Sequence, residues 1–224
     1  MKKQFLLPFL LILFFLALKP AHAQRILGGI SVGANFCQVD GDQFYGFRKV
    51  GINFGLMVMI PFGKKKNWSV TMELLYSQKG SYHKGGTDST YYRLNLDYID
   101  IPVMFHFTDK KIISAGVGFC YGQLINKSES QLYVVTPNTD FLPYDLSVLG
   151  EVSLRVWNRF WINVRYQYSM LNLRTVTFVN PNIKGDTWER NQYNNLISLR
   201  LTYIFKQEIP GKARKAKGEG EVVK

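Results

Sequence analysis

Six charged residues stand in otherwise apolar or small-residue stretches, each on the polar side of an alternating pattern. Two acids held close together can act as a general acid and a general base, and a ring of charges can select or relay ions. The same residues can instead neutralise one another, because buried charges must be paired. The six residues are Glu73, Asp100, Glu151, Arg155, Arg165 and Arg200.

The elements that carry these charges alternate apolar and polar residues with a period of two, which is typical of β-strands. The segments exceed the roughly five or six residues most common in soluble domains, and they match the ~9–11 residues that a tilted strand needs to cross a hydrocarbon layer. No stretch keeps a helical period, so we expect an all-β protein. The eight predicted strands cover residues 27–36, 50–60, 68–79, 95–107, 112–123, 145–156, 161–171 and 195–205.

The connections between the predicted strands alternate between short and long. "GKKKN", "TDKK" and "WNRF" follow the second, fourth and sixth strands, whereas the longest connections cover residues 124–144 and 172–194. Outer-membrane barrels have short periplasmic turns and longer external loops. Because the strand number is even, the pattern also predicts that both chain ends lie in the periplasm.

The composition of the two strand faces distinguishes a membrane barrel from a soluble barrel or sandwich. The polar face is rich in Gly, Ser and Asn and carries charges of both signs, whereas soluble surfaces are rich in Lys and Glu. The apolar face ends in aromatics, as the interface girdles of membrane barrels do. We predict a closed, eight-stranded, antiparallel, up-and-down transmembrane β-barrel with a plugged polar lumen. The predicted interface aromatics are Tyr76, Tyr121, Tyr166, Tyr168, Tyr203 and Phe205.

In such a barrel the six charged residues line the lumen. An eight-stranded barrel is just wide enough for side chains to fill it. We therefore expect a structural charge network rather than a selectivity ring or a proton relay. Arg200 should point inward to Glu151 or another lumen carboxylate. Glu73 and Asp100 on adjacent strands could perform acid–base work, but the available arginines make ion pairing the expected outcome.

The remaining residues predict no catalytic, cofactor-binding or metal site. His83 and His106 fall at opposite ends of the predicted barrel, so they would not share a site. Cys37 and Cys120 fit no metal motif. They belong to opposite strands of an eight-strand ring, which is too far apart for a disulfide. We expect free thiols, no cofactor and no enzymatic activity.

The two ends of the chain predict export and a polar tail. Lys2 and Lys3 precede an apolar run too short for the ~20 residues of a spanning helix, and "AHA" precedes Gln24. This predicts a signal peptide over residues 1–23, a barrel over 24–205 and a basic, disordered periplasmic tail over 206–224. The net charge of +12 fits an anionic membrane surface, acidic glycans or plain solubility. Nucleic acid is not an expected partner of an exported chain.

Three stretches together resemble the Bacteroidetes outer-membrane β-barrel domain, the PorT-like family. They are "GGISVGANFCQVDGDQFYGFRKVGINFGL", "ELLYSQKGS" and "LDYIDIPVMFHF". The chain departs from that family at Asp100, where Glu is more frequent, and in the tail after Phe205. The resemblance implies an eight-stranded barrel in the outer membrane of a Gram-negative bacterium. Because the name-giving member is associated with secretion, it also suggests a non-enzymatic accessory role in protein secretion.

Alternative functions and the expected partners follow from the same reading. The alternatives are a narrow pore, a ligand-binding or adhesion barrel, and an outer-membrane enzyme. The expected partners are outer-membrane lipid, the barrel-assembly machinery during biogenesis, and secretion-machinery proteins. The last strand, "ISLRLTYIF", resembles the aromatic-ended strand that the assembly machinery reads.

Overall fold

The computed structural model describes residues 26–42, 44–84, 91–131, 140–179 and 187–205. Eight strands close into an antiparallel barrel in the order β1-β10-β7-β6-β5-β4-β3-β2, and β8 pairs with β9 in a separate hairpin. The predicted closed, eight-stranded barrel is therefore confirmed. Within the described part of the chain, no helix is long and apolar enough to cross a membrane. The ten strands of the described residues are β1 (Leu27–Asp40), β2 (Lys49–Phe62), β3 (Trp68–Lys84), β4 (Tyr91–Asp109), β5 (Ile113–Gln131), β6 (Tyr144–Trp157), β7 (Phe160–Ser169), β8 (Thr175–Val179), β9 (Thr187–Asn191) and β10 (Tyr193–Ile204).

Burial alternates along the barrel strands with the polar side chains facing inward. Glu73 and Arg200 are only 4% and 2% exposed, whereas Val117 and Leu199 are 66% and 49% exposed. A continuous apolar band on the outside is unfavourable in water and favourable in lipid. In the membrane-spanning part, closure of the sheet gives every strand a neighbour on both sides, so the backbone is hydrogen-bonded internally, as a hydrocarbon environment requires.

The two ends of the barrel differ in their connections. Residues 63–67, 110–112 and 158–159 form tight turns at one end, where β1 also begins and β10 ends. We call this the short-turn end. β1, β3, β5 and β7 end at the opposite side of the barrel, which we call the long-loop end. The alternation of loop lengths predicted from the sequence is therefore present in the structure.

The strands near β4 extend well beyond the length needed to cross a membrane. β4 and β5 each contain 19 residues, compared with 10 in β7. At ~3.3 Å per residue, 19 residues span about 60 Å, roughly twice the thickness of a hydrocarbon layer. Even when tilted, β4 and β5 must therefore continue past the lipid at the long-loop end.

The side-chain pattern of β4 reverses along its length. Toward the short-turn end its inward residues include Asp100 and His106, and its outward residues are apolar. Toward the long-loop end its inward residues are buried and apolar, and its outward residues are polar. The register with β5 shifts between Asp97 and Tyr98, at the reversal. The inward residues of this second part are Tyr92, Leu94, Leu96 and Tyr98, and the outward ones are Arg93, Asn95 and Asp97.

Two predictions about the long connections are wrong. Residues 124–131, predicted as loop, continue β5, and the connection over 172–194 contains the β8–β9 hairpin. These segments have polar residues outside, as in a water-exposed sheet, so they lack the apolar outer face used to identify spanning strands. The predicted signal peptide and tail lie outside the described residues and stay predictions.

The exposed apolar band predicts how much a charged substitution in β10 lowers the free energy of unfolding. Leu199 lies in the middle of the band and is 49% exposed, whereas Phe205 lies at the short-turn end. We expect Leu199→Arg to lower the free energy of unfolding by roughly 2–4 kcal/mol and Phe205→Arg by about 0–1 kcal/mol, because the cost of a lipid-facing arginine depends on depth. Urea unfolding in phospholipid vesicles measures both. Equal losses for the two variants would contradict the predicted depth of Leu199.

Candidate functional site

Four of the predicted lumen charges meet in one cluster at the centre of the barrel. We call Glu73, Glu151, Arg165 and Arg200 the central charge cluster. Arg200 donates to Glu73 at 2.8 Å through Nη1 and to Glu151 at 2.7 Å through Nη2. Arg165 contacts Glu73 and Glu151 at 2.8 and 2.7 Å through Nη2. Because two carboxylates face two guanidiniums, the formal charges cancel.

The central charge cluster joins opposite walls of the barrel. Glu73 lies on β3 and Arg165 on β7, which are diametrically opposite in the eight-strand ring. Arg200 on β10 and Glu151 on β6 complete the cross-connection. All four side chains are buried. The cluster therefore occupies the lumen cross-section and resists lateral distortion of the barrel.

Smaller residues fit around this cluster. Ser153 donates to Glu151 at 3.1 Å, and Asn163 donates to Ser153 at 2.6 Å. Gly33 pairs with Arg200 across β1 and β10, and a Cβ at Gly33 would lie 2.8 Å from the Cγ of Arg200. Glycine at this position therefore provides the space into which Arg200 folds.

Asp100 belongs to a second cluster, formed around Lys79. The Nζ of Lys79 lies 3.0 Å from Asp100 and 3.6 Å from Asp145, and 4.4 Å from the centre of the Tyr98 ring. Asp100 therefore pairs with Lys79, and its expected pairing with an arginine is wrong. Sequence reasoning missed Lys79 and Asp145. Both share the inward parity of their strands, and that parity is the signal that could have identified them.

Arg155 does not join the central charge cluster, contrary to the prediction. Four residues along a strand correspond to about 13 Å, so Arg155 lies nearer the short-turn end than Glu151 does. Its guanidinium packs over the Trp161 ring at 4.8 Å. Parity placed Arg155 on the correct face but carried no information about its depth in the lumen.

An apolar cluster closes the barrel at the long-loop end. We call it the loop-end cap. Arg174 lies against it, with Glu129 as a bidentate partner and the ring of Phe141 at 4.2 Å. Burial also raises the pKa of Asp42, in the connection after β1, to about 6. The buried members of the cap are Val39, Tyr92, Leu94, Leu96, Tyr98 and Leu173, and the half-buried Phe44, Leu124 and Phe141 pack against them.

The predicted interface aromatics lie on the outer face in two groups. Tyr76, Tyr121, Tyr166 and Tyr168 lie toward the long-loop end, whereas Tyr203 and Phe205 lie at the short-turn end. The rings of Tyr203 and Phe205 contact each other at 5.5 Å between centroids. Sequence reasoning missed other aromatics at the strand ends of the short-turn end. All but Trp157 share the outward parity of their strands, and Trp157 follows a register shift between Arg155 and Trp157. The missed aromatics are Trp68, Phe105, Phe107, Trp157 and Phe160.

The structure separates the residues that could have formed a catalytic site. His83 stacks on Phe44 at the long-loop end, whereas His106 contacts Thr71 in the lower lumen. Glu73 pairs with Arg165 and Arg200, whereas Asp100 pairs with Lys79. Cys37 and Cys120 are buried and free. Among the described residues, no group of three or more His, Cys, Asp or Glu side chains could hold a metal ion.

Removing one cation from the central charge cluster tests its contribution to stability. We expect Arg200→Ile to lower the free energy of unfolding by about 3–5 kcal/mol, because one of two buried carboxylates loses its counter-charge. The double variant Arg200→Ile with Glu73→Gln retains the neutral pair of Glu151 and Arg165 and should recover part of that loss. Urea unfolding of refolded protein in vesicles measures both. A double variant that is less stable than Arg200→Ile alone would contradict the charge-balance explanation.

Solved structures of bacterial surface barrels resemble this chain. Ail of Yersinia pestis, in complex with the heparin analogue sucrose octasulfate, is 15% identical, with a TM-score of 0.44 over 81% of this chain and 99% of that chain. Neisserial surface protein A is 13% identical, with a TM-score of 0.46 over 79% and 96%. OprG from Pseudomonas aeruginosa is 10% identical, with a TM-score of 0.40 over 81% and 95%. At identities and TM-scores this low, these likenesses do not bear on function.

A family match identifies the chain more directly. A search of curated proteins found no match. The family model described as the outer membrane protein beta-barrel domain matches residues 22–174, more than half of the chain. The match covers β1 to β7 and includes both acids of the central charge cluster and one of its two arginines, Arg165. The chain belongs to the outer membrane protein beta-barrel domain family.

Proposed function

We propose that this protein is a non-conducting, non-enzymatic outer-membrane barrel that assists protein secretion across the outer membrane. The family match supports the outer-membrane location. The finer assignment to a PorT-like role in secretion rests on the resemblance of the first four strands to that family. Barrel-assembly proteins, outer-membrane lipid and secretion-machinery proteins are the partners that this role implies.

The occupied lumen is the observation that carries the non-conducting role. Salt-bridged side chains from four strands meet at its centre. The Lys79 cluster lies next to them on the side of the long-loop end, and the loop-end cap lies beyond it at that end. A barrel of eight strands has little interior space beyond its own side chains. An open ion path would require several buried ion pairs to separate, which is costly.

The geometry also supports a non-enzymatic role and a periplasmic short-turn end. The carboxylates of Glu73 and Asp100 are paired with basic side chains. His83 and His106 lie at opposite ends of the barrel. Short turns of bacterial outer-membrane barrels usually face the periplasm. In the proposed orientation, the start of β1 and the end of β10 face the periplasm.

Bilayer recordings test the closed lumen. We expect flat current traces from the purified, refolded protein in planar bilayers, because the charge clusters and the loop-end cap fill the lumen. Reduced gel mobility after heating verifies that the protein is folded before reconstitution. Discrete conductance steps that scale with protein amount would contradict a non-conducting role and favour a narrow pore.

Deletion of the coding gene tests the secretion role. We expect exported cargo to accumulate in the periplasm of the deletion strain and to reach the surface again when the wild-type chain is restored. As a control for a general defect in barrel assembly, the amount of unrelated outer-membrane barrels in the same membranes is measured, and it should not change. Normal export in the deletion strain would remove the secretion role and leave the description of the barrel intact.

A further inference from the structure

The lumen is closed at the long-loop end, but it opens into a cavity at the short-turn end. The cavity has a volume of about 150 Å³. Its floor includes Glu73, Glu151 and Arg200 of the central charge cluster, and its rim is formed by the turns after β2 and β4. The loop-end cap lies at the other side of the floor. The cavity is therefore accessible from the short-turn end.

The charge that this cavity presents is positive. The floor is formally neutral, because its acids are paired with arginines. The other Lys and Arg residues of the lining are Lys65, Lys66, Lys111 and Arg155, and no further Asp or Glu of the described residues lines the cavity. A recess with walls of low dielectric concentrates this positive potential and attracts anions.

Arg155 supplies hydrogen-bond donors without an acidic partner. Its Nε and Nη1 atoms are buried and have no hydrogen-bond partner among the described residues. The Trp161 ring, 4.8 Å away, holds the guanidinium in place. Buried donors without acceptors are unfavourable, so a carboxylate or phosphate placed beside Arg155 would supply acceptors that these donors lack.

The turns place lysines at the rim in a backbone conformation that disfavours them. Lys66 and Lys111 have φ angles of 53° and 59°. A residue with a side chain adopts this left-handed region less readily than Gly or Asn does. Lys110, which does not line the cavity, has a φ angle of 45°, so this conformation is a feature of the turns themselves. The side chains of Lys66 and Lys111 add positive charge to the rim.

The walls between the floor and the rim are apolar and adaptable. Met57, Met59, Leu27 and Ile204 contribute apolar surface, and Trp161 adds an aromatic face. Unbranched methionine side chains adjust to irregular ligands. An apolar cavity of about 150 Å³ is large enough for benzene. The cavity thus combines a cationic rim with space for one small apolar group.

We propose that this cavity binds a small organic anion, a carboxylate or phosphate joined to an apolar body about the size of one aromatic ring. The anionic group contacts Arg155 and the rim lysines, and the apolar body packs between Met57, Met59 and Trp161. This proposal does not depend on the secretion role, because the site consists only of the lumen and turns at the short-turn end.

Phenylacetate is a suitable probe, and phenylacetamide is its uncharged counterpart of nearly equal shape. The full-length protein is reconstituted in phosphatidylcholine nanodiscs with 13C-methyl-labelled methionine. Titration with phenylacetate should shift the Met57 and Met59 signals in a saturable manner, with a Kd on the order of 1 mM for a ligand of this size. The lipid-facing Met72, which is 55% exposed, should not respond. Phenylacetamide should bind at least tenfold more weakly.

Two neighbouring lysines provide a matched pair of variants. Lys111 lines the cavity, whereas Lys110 belongs to the same turn and is not part of the lining. Lys111→Gln should weaken phenylacetate binding several-fold, and Lys110→Gln should leave it unchanged. Arg155→Gln should weaken binding tenfold or more, and the Lys111 variant keeps the test decisive if that protein fails to refold.

The Met57 and Met59 signals also identify the source of the anion and show which results would overturn the proposal. Competition by phosphatidylglycerol added to the nanodiscs would support the site and identify a membrane lipid as the source of the anionic group. Retained phenylacetate binding without such competition would support a soluble anion. Absence of Met57 and Met59 shifts, equal binding of the acid and the amide, or equal effects of the two lysine variants would each overturn the proposal.

Discussion

The pairing of charges inside the lumen is the constraint on which the rest of this barrel depends. A lipid-facing barrel turns its polar side chains inward, where few water molecules can compensate an isolated charge. Glu73 and Glu151 meet Arg165 and Arg200 at distances of 2.7–2.8 Å, and these contacts connect opposite walls. This arrangement requires small residues such as Gly33, because the long charged side chains need space to extend across the lumen.

A second organising feature is the reversal of side-chain polarity within β4. Below Tyr98 the barrel has a polar interior and an apolar exterior, as lipid requires. Above it, the same strand has an apolar interior and a polar exterior, as water requires. The register shift between Asp97 and Tyr98 occurs where the two regimes meet. One continuous sheet therefore contains a membrane barrel and, above it, a small soluble-type core that closes its mouth.

These two features make the lumen asymmetric, and the asymmetry shapes the functional proposals. The loop-end cap and the charge clusters occupy the upper and middle lumen, while the cavity at the short-turn end remains accessible. A lumen closed in this way suits a protein that binds or assists partners better than one that conducts solutes. Basic residues of the short turns lie on the same side as this cavity, where β1 begins and β10 ends.

Strand periodicity predicted the inward parity of the six charges and the outward parity of the aromatics. Together with strand length, the alternation of short and long connections and the composition of the two faces, it also predicted the closed eight-stranded barrel. Period-two alternation is a local property, so it can be read along the chain. Depth in the lumen and pairing across the ring are set by strand register and closure. Only the tertiary structure therefore separated Arg155 from Glu151, paired Asp100 with Lys79, and brought Glu73 to Arg165 over a sequence separation of 92 residues. The extended parts of β4 and β5 were not predicted, for a related reason. An alternating strand turns its polar side inward in lipid and outward in water. The local sequence alone does not show which medium surrounds the strand.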